Sequence, residues 1–554
     1  MDLKRTKYLL LVSSVGAFGL LLASAVQENL LREWRSIQRT ARTEEGRIRV
    51  QLRQVVNPAL GLSDRCVSCH VSMGPGEQNV VGDQVLTPHR PVFHDPAEFG
   101  CTICHGGQGR ATEKADAHGR VEFWPQPMLP RELSQAGCGT CHTGLGTPGL
   151  EVLRRAEHAF ERLDCLACHR LDGRGATLRP NGQGMEGPDL SAAGIRGYDR
   201  SWYQGHLRES AQAAGGPWRA SFGPIADGDL PLLTAYLDTR IGASKWIEAK
   251  GVFLSSGCLG CHKLSGTGGD EGPDLTRVGL KDPGQLAPGA VRGERTLANW
   301  MAEHFRSPLA VVAGSQMPPI RRPDSEIELL TLYTLSLRRL DLPGTYQPKD
   351  RIRVEKLGER EFAADGGTLF GAFCTGCHGR QGEGLRAAGV QNFPSIANPD
   401  FLGLVSDDFL VQTVKRGRPG RKMPAWGEID GGLRPAEIRA VVAHLRSLGG
   451  VPAAIQSSPR RWVRGEPEAG RQIFLAACSG CHGANGEGGE GPALNNQVLL
   501  SVAADSYLVE TISRGRRQTV MEGFLVPSPA RRALSPAEIE NVVAFIRSWE
   551  GAKP

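Results

Sequence analysis

The feature that most constrains this chain is a Cys-x-x-Cys-His motif that occurs seven times and uses every cysteine present. This motif is typical of c-type haem attachment, in which two thiols bond to one porphyrin and the adjacent histidine reaches the iron. Zinc sites pair Cys-x-x-Cys units with one another and do not require a histidine after each pair. The predicted attachment residues are Cys66, Cys69, Cys101, Cys104, Cys138, Cys141, Cys165, Cys168, Cys258, Cys261, Cys374, Cys377, Cys478 and Cys481. The predicted proximal iron ligands are His70, His105, His142, His169, His262, His378 and His482.

Length and composition agree with several small domains built around these groups. The chain has 554 residues but only 6% aromatic residues, so seven porphyrins would supply apolar volume that its own side chains lack. The 71 glycines and 36 prolines suit short helices and loops. The net charge of +6 comes from scattered arginines, which indicates an ordinary solvated surface and no nucleic-acid partner.

The N-terminus predicts a membrane segment. Leu9–Val26 carries no charge over eighteen residues and follows Lys4, Arg5 and Lys7. A retained anchor over residues 1–27 and a signal peptide cut after Ala23-Ser24-Ala25 both fit. Either way the basic residues stay inside. We therefore expect an N-terminal anchor in a bacterial inner membrane, with the remainder facing the periplasm. Residues 28–60 predict a charged helical stalk, with an amphipathic partner helix as the alternative.

The remaining chain divides by motif spacing into a predominantly α-helical arrangement. Three motifs crowd into residues 61–150, which predicts a loop-rich trihaem cluster. Later motifs recur about every 90 to 115 residues, each with a Gly/Pro loop and a closing helix. The last two closing helices begin as near copies, Leu433–Ile438 and Leu534–Ile539. We predict four tandem units over residues 151–242, 243–345, 357–450 and 462–552.

These repeats resemble class I cytochrome c domains. In that family a loop proline carbonyl accepts a hydrogen bond from the proximal histidine, a role the resemblance assigns to Pro188, Pro273, Pro394 and Pro492. The family's sixth iron ligand is a methionine before the last helix. Three repeats supply one at the same place, namely Met317, Met423 and Met521. In the unit of Cys165 that place holds Phe222, which predicts another ligand or an open iron.

The four haems without a methionine loop need another sixth ligand, and histidines are available for that role. His89, His94, His118 and His158 lie between residues 85 and 160, so we predict bis-histidine ligation of that group. The pairing does not follow from the sequence, because a distal histidine often comes from another haem's segment. The alternatives are Met73, Met128 and Met185 as ligands, or surface histidines that bind no iron.

Ligand type predicts a direction of electron flow, since bis-histidine haems generally have lower potentials than His/Met haems. Residues 30–170, with Asp64-Arg65-Cys66 and Phe99–Gly109, resemble cytochrome c subunits linked to bacterial Rieske/cytochrome b complexes that oxidise quinol. Residues 360–550 resemble the dihaem subunit of cbb3-type oxidases, and equally any tandem class I cytochrome c. Together the resemblances imply a respiratory complex as partner and a small soluble cytochrome or an oxidase as acceptor.

Three functions remain at this point. The favoured one is a membrane-anchored heptahaem relay without chemistry of its own. The second is a multihaem reductase or peroxidase with an open iron near Cys165–His169, with Arg219 and His206 as the nearest candidate groups. The third is a structural conductor in an extracellular filament. Arg514, Arg516 and Arg517 near Met521 are either a surface that steers an acidic acceptor or ordinary surface arginines.

Overall fold

The computed structural model describes residues 3–43, 46–74, 87–89, 92–121, 124–175, 187–196, 200–286, 289, 291, 293–385, 393–454, 459–529 and 531–551, except for 213–224. The chain divides into two compact units. The N-terminal unit comprises Met1–Thr143, Gly279–Glu303 and Thr334–Ile352, and the C-terminal unit comprises Gly144–Val278, His304–Tyr333 and Arg353–Pro554.

Helices dominate the described residues, which confirms the predominantly α class. In chain order they are α1 (Leu3–Leu30), α2 (Glu33–Thr40), α3 (Pro96–Phe99), α4 (Thr102–His105), α5 (Lys114–Ala117), α6 (Leu150–Arg162), α7 (Arg200–Gln212), α8 (Asp229–Asp238), α9 (Ser244–Ser255), α10 (Leu297–Arg306), α11 (Pro308–Val311), α12 (Asp324–Ser336), α13 (Lys349–Leu357), α14 (Gly366–Phe373), α15 (Thr375–His378), α16 (Pro399–Leu402), α17 (Asp407–Arg416), α18 (Pro435–Gly449), α19 (Pro467–Ala477), α20 (Ser479–His482), α21 (Gln497–Val502), α22 (Asp505–Arg514) and α23 (Pro536–Ser548). Short 3₁₀ turns cover Pro58–Leu60, Cys66–Ser68, Val71–Met73, Arg131–Thr140, Cys165–Ala167, Ala193–Arg196, Cys258–Gly260, Val278–Leu280, Pro283–Gln285 and Gly344–Tyr346.

The strands form four small antiparallel hairpins. They are β1 (Arg42–Thr43) with β2 (Gly46–Arg47), β3 (Val55–Asn57) with β4 (Leu62–Asp64), β5 (Arg170–Leu171) with β6 (Arg174–Gly175), and β7 (Lys263–Leu264) with β8 (Thr267–Gly268). With only two or three residues per strand, these hairpins cannot form a core of their own.

Helix α1 contains the predicted membrane segment and is exposed along its whole described length. It is long and apolar enough to cross a bilayer. The prediction of an N-terminal apolar helix is therefore confirmed as far as length and composition allow.

The predicted helical stalk over residues 28–60 is wrong. Helix α2 is only eight residues long and buries Trp34 and Gln38. The Gln38 amide donates to the carbonyl of Ser68 at 2.8 Å, and its oxygen accepts from the Gln51 N–H at 2.8 Å. The segment is a folded part of the N-terminal unit because α2 buries the Trp34 ring together with the Gln38 amide. A buried amide needs hydrogen-bond partners, which the rest of the unit supplies. The spacing of Trp34 and Gln38, four residues apart, was the signal in the sequence.

In the N-terminal unit, the described residues from 61 to 143 form short turns, short helices and loops around strand β4, as expected for a loop-rich segment. The unit also includes two segments of the predicted 243–345 domain, so that boundary differs from the prediction. The physical reason is close backbone packing, since a Cβ on Gly139 would lie 2.1 Å from the carbonyl oxygen of Ser336. The Leu340 N–H also donates to the carbonyl of Thr140 at 3.2 Å.

In the C-terminal unit, the helix before a Cys-x-x-Cys-His motif packs against a closing helix. The pairs are α6 with α8, α14 with α18 and α19 with α23. A Cβ on Gly470 would lie 1.9 Å from the backbone oxygen of Asn541, and one on Gly366 would lie 2.2 Å from that of Ala440. Glycine is required at these two equivalent positions because the helices cross in backbone contact.

The closing helices α18 and α23 begin in the same way. Pro435 and Pro536 occupy the first helical turn, and Glu437 and Glu538 reach back to the backbone of the capping residue three positions earlier. Proline is tolerated there because the N–H it lacks has no partner within the helix. The near-copied sequences thus encode the same helix start.

Two kinds of repeat are present in the C-terminal unit. After His169 and His262 the chain forms the hairpins β5–β6 and β7–β8, with a left-handed residue (Asp172 at φ 50°, Ser265 at φ 51°) in each turn. After His378 and His482 a glutamate folds back instead, and Glu383 and Glu487 accept from backbone N–H groups two residues earlier. The repeats around Cys165 and Cys258 therefore resemble each other, as do the last two.

A buried ion pair in the last repeat has an exposed counterpart in the preceding one. Arg547 and Asp505 lie 2.7 Å apart with side chains 4% and 2% exposed. The equivalent Arg446 and Asp407 lie 2.8 Å apart, but Asp407 is 60% exposed. Burial acts to raise the pKa of Asp505, yet hydrogen bonds from the N–H groups of Val463 and Trp462 and from Arg547 outweigh it and lower that pKa.

We expect Asp505→Asn to destabilise the last repeat by about 3 kcal/mol, because the buried guanidinium of Arg547 then keeps only Glu550, at 3.2 Å, as a charge partner. The matched change Asp407→Asn should cost at most about 1 kcal/mol, since that pair is solvated. Because the folded-state pKa of Asp505 is depressed, its contribution is present above the unfolded pKa and is lost as pH falls through the folded pKa. Hydrogen exchange of α23 and α18 amides in the holoprotein measures both effects. Equal losses would contradict the burial argument.

Candidate functional site: histidine pairs and cysteine motifs

Each of the four proximal histidines in the C-terminal unit makes the same kind of hydrogen bond. The Nδ1 atoms of His169, His262, His378 and His482 lie 2.8–2.9 Å from the carbonyl oxygens of Pro188, Pro273, Pro394 and Pro492. The proline role implied by the class I cytochrome c resemblance is thereby confirmed. A histidine that donates from Nδ1 to a carbonyl presents Nε2 for metal binding. The arrangement fits a haem iron on the Nε2 side.

Burial keeps several of these imidazoles in the form that binds metal. It lowers the pKa of His262, His378 and His482, and in each case the proline carbonyl opposes the effect only in part. A neutral imidazole is the metal-binding form, so these histidines are prepared as ligands at neutral pH.

The three methionine loops share a backbone conformation. Gly314, Gly420 and Gln518 all have a left-handed φ, of 77°, 77° and 62°, and each lies three residues before a methionine. The carbonyls of Met423 and Met521 accept hydrogen bonds of 2.8 Å from the N–H groups of Arg418 and Arg516. Met521 has no proline after it, yet its loop has the same form as that of Met423. Ligation by Met317, Met423 and Met521 remains a prediction that these loops support.

The corresponding loop of the Cys165 unit, with Arg219 and Phe222, lies outside the described residues, and so does Met185. His206 is exposed, and its ring stacks on the indole of Trp202 at 5.0 Å. In the described part of the chain, no contact directs His206 towards the Cys165 motif, so its candidate role at an open iron has no structural support.

Three histidine pairs form in the N-terminal unit. His70 and His118 have ring centroids 6.5 Å apart, His105 and His89 are 6.2 Å apart, and His142 and His94 are 5.8 Å apart. Each pair joins one proximal histidine to one of the four histidines predicted as distal ligands.

The spacing of these pairs fits an iron between two imidazoles. A metal–nitrogen bond of about 2 Å on each side, plus about 1 Å from each nitrogen to its ring centre, gives roughly 6 Å between centroids. Rings in ordinary stacking contact can lie closer, at about 4.5 Å. Burial also lowers the pKa of His94, His105 and His118, which favours the neutral ligand form. The sequence could not supply this pairing because each partner comes from a different loop.

His158 does not join this group. It lies on the exposed face of α6, whose buried face carries Leu153, Ala156 and Phe160. The helix must direct that apolar face inward, so a residue on the opposite side points to solvent. Its prediction as an iron ligand is therefore not supported, and the geometry favours the surface alternative. His444, on the closing helix α18, packs against the ring of Phe370 at 5.4 Å between centroids.

Neighbouring motifs are in direct contact. The thiols of Cys66 and Cys101 and a carboxylate oxygen of Asp64 lie within 4.8 Å of one another. Asp64 is buried and accepts from the N–H groups of Cys101 and Thr102 at 2.6 and 2.8 Å and from the Thr102 hydroxyl at 2.8 Å. Both cysteines belong to haem motifs, so we assign this cluster to two adjacent haem sites and not to a separate cation.

A second contact joins the motifs of Cys138 and Cys101, since a Cβ on Gly137 would lie 2.1 Å from the backbone oxygen of Cys104. A third, in the C-terminal unit, brings the side chains of Cys261 and Cys377 next to each other. There a Cβ on Gly257 would lie 2.1 Å from the N atom of Gly376. None of the fourteen cysteines forms a disulfide, so each can serve as a haem attachment residue.

The last two repeats contact each other through two hydrogen bonds at their methionine loops, which we call the asparagine clasp. The Asn398 amide donates to the carbonyl of Arg517 at 2.8 Å, and the equivalent Asn496 amide donates to the carbonyl of Pro419 at 3.1 Å. Each asparagine also caps a short helix in its own repeat. The reciprocal bonds place the two methionine loops side by side, which sequence reasoning missed.

The proposed arginine surface near Met521 is largely engaged within the chain. Arg517 pairs with Asp400 at 2.6 Å, Arg516 lies over the ring of Phe401 at 5.0 Å, and Arg514 pairs with Glu510. The first two contacts belong to the clasp between repeats. The side chains of Arg514 and Arg517 are nevertheless 74% and 81% exposed, so both alternatives, a surface that steers an acidic acceptor and ordinary surface arginines, stand as predictions.

Comparison with known proteins agrees with this geometry. Residues 467–550 match the family "Cytochrome c", and residues 361–445 match "Cytochrome C oxidase, cbb3-type, subunit III". The chain is 33% identical over 200 residues to the cbb3-type cytochrome c oxidase subunit FixP of Bradyrhizobium sp. (strain ORS 278), covering 34% of this chain and 62% of that protein. It is 27% identical over 200 residues to the subunit CcoP of Rhodobacter capsulatus, with the same coverage.

The chain thus spans less than two thirds of these relatives. Among solved structures, a reducing HAO-like protein complex of Kuenenia stuttgartiensis aligns over 33% of this chain and 95% of the other, with 18% identity and a TM-score of 0.23, which is too low to support an argument. From the family matches and the histidine geometry together, the chain contains c-type cytochrome domains, which bind haem covalently and serve electron transport.

Proposed function

We propose that this chain is a membrane-anchored heptahaem c-type cytochrome that relays electrons. The observation that carries the proposal is the set of three histidine pairs, each at a spacing that accommodates one iron. When bound, each haem takes up and releases one electron at a potential set by its axial ligands. The protein's part is to hold the sites at fixed positions and to choose those ligands.

We assign the axial ligands as follows. His118, His89 and His94 complete the sites of His70, His105 and His142, while Met317, Met423 and Met521 complete those of His262, His378 and His482. We further propose four tandem cytochrome c domains, because the proline–histidine bond recurs in all four C-terminal repeats.

Contacts between motifs define part of the route. Cys66 with Cys101, and Cys104 with Gly137, hold the first three sites in a row. The contact between Cys261 and Cys377 joins the fifth haem site to the sixth. The asparagine clasp joins the last two repeats, which hold the sixth and seventh sites. Ligand type supplies the direction, since electrons would move from bis-histidine sites towards His/Met sites.

The partners follow from the ends of this route. The N-terminal unit carries the apolar helix and the bis-histidine sites, so we place the donor there and propose a quinol-oxidising cytochrome b complex in the bacterial inner membrane. The relatives that this chain matches over 200 residues are named as cbb3-type oxidase subunits, and residues 361–445 match a cbb3-type subunit family. We therefore propose an oxidase or a small soluble cytochrome in the periplasm as acceptor. The reductase alternative at Cys165–His169 has no supporting contact in the described residues.

The haem count tests the proposal at its base. Intact-mass analysis of the exported protein, made in a host with cytochrome c maturation, should show an increase of seven haem masses. The double variant Cys165→Ala/Cys168→Ala should lose one haem and retain six. A native count below seven would contradict the heptahaem assignment, and loss of more than one haem in the variant would show that this domain supports its neighbours.

A further inference from the structure

One proximal histidine differs from the four that donate to a proline carbonyl. The Nδ1 atom of His142 lies 3.0 Å from a carboxylate oxygen of Asp350. The other carboxylate oxygen accepts from the N–H of Thr143 at 2.8 Å. Asp350 is 208 residues away in sequence, in the first turn of α13. Both side chains are largely shielded, at 23% and 22% exposed.

A carboxylate is a stronger acceptor than a carbonyl. A hydrogen bond to an ionised acceptor is shorter and about twice as strong as a neutral one. It draws the Nδ1 proton towards Asp350 and makes the imidazole a more electron-rich donor at Nε2. A negative charge beside the ligand also stabilises the more positive ferric state relative to the ferrous state. Both effects lower a haem potential.

We propose that Asp350 sets the potential of the Cys138 haem site and makes it the lowest of the three N-terminal sites. The inference rests on the proposed function, because it needs a haem held by His142 and His94. Asp350 is a positioning residue, since it acts on the iron through His142. It fixes the imidazole orientation and, by binding the Thr143 N–H as well, keeps its own carboxylate in place.

One charge nearby acts in the opposite direction. Arg351, the next residue in α13, is buried, and its positive charge lies near the side chain of Cys141, whose pKa is raised by burial and in part lowered by Arg351. Its guanidinium donates to the carbonyl of Leu340. The test must therefore separate the hydrogen bond to His142 from the general charge of the region.

The test is a redox titration of the full-length holoprotein monitored by low-temperature EPR, in which each bis-histidine site has its own signal. Asp350→Asn keeps the size of the side chain and removes its charge. We expect the midpoint potential of one site to become more positive by about 59 mV. For one electron this corresponds to a tenfold change in the oxidised-to-reduced ratio at a fixed potential. Asp350→Glu should restore much of the native value.

Glu132→Gln serves as the matched control. It removes an exposed carboxylate six residues before Cys138, so a general charge effect would appear there as well. If Asp350→Asn retains all its haems and shifts no site beyond the shift in Glu132→Gln, the inference is wrong.

A measurement on the native protein covers the case in which Asp350→Asn fails to mature. The signal that disappears in His94→Ala identifies the Cys138 site, and in the native protein that signal must titrate lowest of the three. A higher position would overturn the inference even if no Asp350 variant folds. If the native protein shows no bis-histidine signal for this site, the proposed ligation itself fails, and that outcome is distinct from an unshifted potential.

Discussion

Alanine at His118, His89 or His94 is expected to turn one low-spin haem into a high-spin haem in each case, while the haem count stays at seven. The cysteines hold the porphyrin covalently, so loss of the distal imidazole removes only the sixth ligand. Each variant should abolish a different low-spin bis-histidine EPR signal, because the three rings pair with three different proximal histidines.

His158→Ala is the matched control, since that side chain is exposed on α6. It should leave every spin state unchanged. A high-spin haem in His158→Ala, or unchanged low-spin signals in two of the other three variants, would contradict the assigned pairing. Optical spectra and EPR of the purified full-length proteins are sufficient for the comparison.

Replacing Met423 with histidine is expected to lower the potential of the sixth site by on the order of 0.1–0.3 V, a fraction of the roughly 0.8 V range that axial ligands command. Imidazole stabilises the ferric state more than a thioether does. The change would place a low-potential site between the fifth and seventh sites, so we expect slower electron transfer through the C-terminal repeats. Spectroelectrochemistry measures the shift directly.

Met301→Leu is a suitable control because Met301 is buried among side chains, where a similar volume is tolerated, and it lies outside the three methionine loops. Its potentials should equal those of the native protein. If Met423→His leaves all seven potentials in place, Met423 does not bind iron. The same comparison at Met521 tests whether the proline that follows Met423 is dispensable, as the shared loop conformation indicates.

Local chemistry was predictable from the sequence. The cysteine motifs predict the attachment sites. The prolines of the Gly/Pro loops meet the proximal histidines because both lie within one repeat, at most 19 residues apart. The helix starts at Pro435 and Pro536 were equally predictable, since capping depends on neighbours three residues away.

Long-range pairing was not predictable. His118 lies 48 positions after His70 in the sequence, and no periodic pattern connects the two. Asp350 reaches His142 from a helix that follows a different repeat, so its role is visible only in three dimensions. The stalk prediction failed because it followed the composition of the segment, which is mostly charged. The packing of α2 depends instead on its two buried residues, Trp34 and Gln38.

The central claim is a relay in which bis-histidine sites at the N-terminal end precede His/Met sites at the C-terminal end. A stepwise reductive titration of the native, fully haem-loaded protein, followed by low-temperature EPR, tests it most directly. The account predicts low-spin signals throughout the assigned sites, with the His/Met signals reduced first and the three bis-histidine signals last. Bis-histidine signals that are reduced before the His/Met signals would contradict the proposed direction. A high-spin iron that binds added cyanide or nitrite would contradict a pure relay and would point to the Cys165 site as a reaction centre.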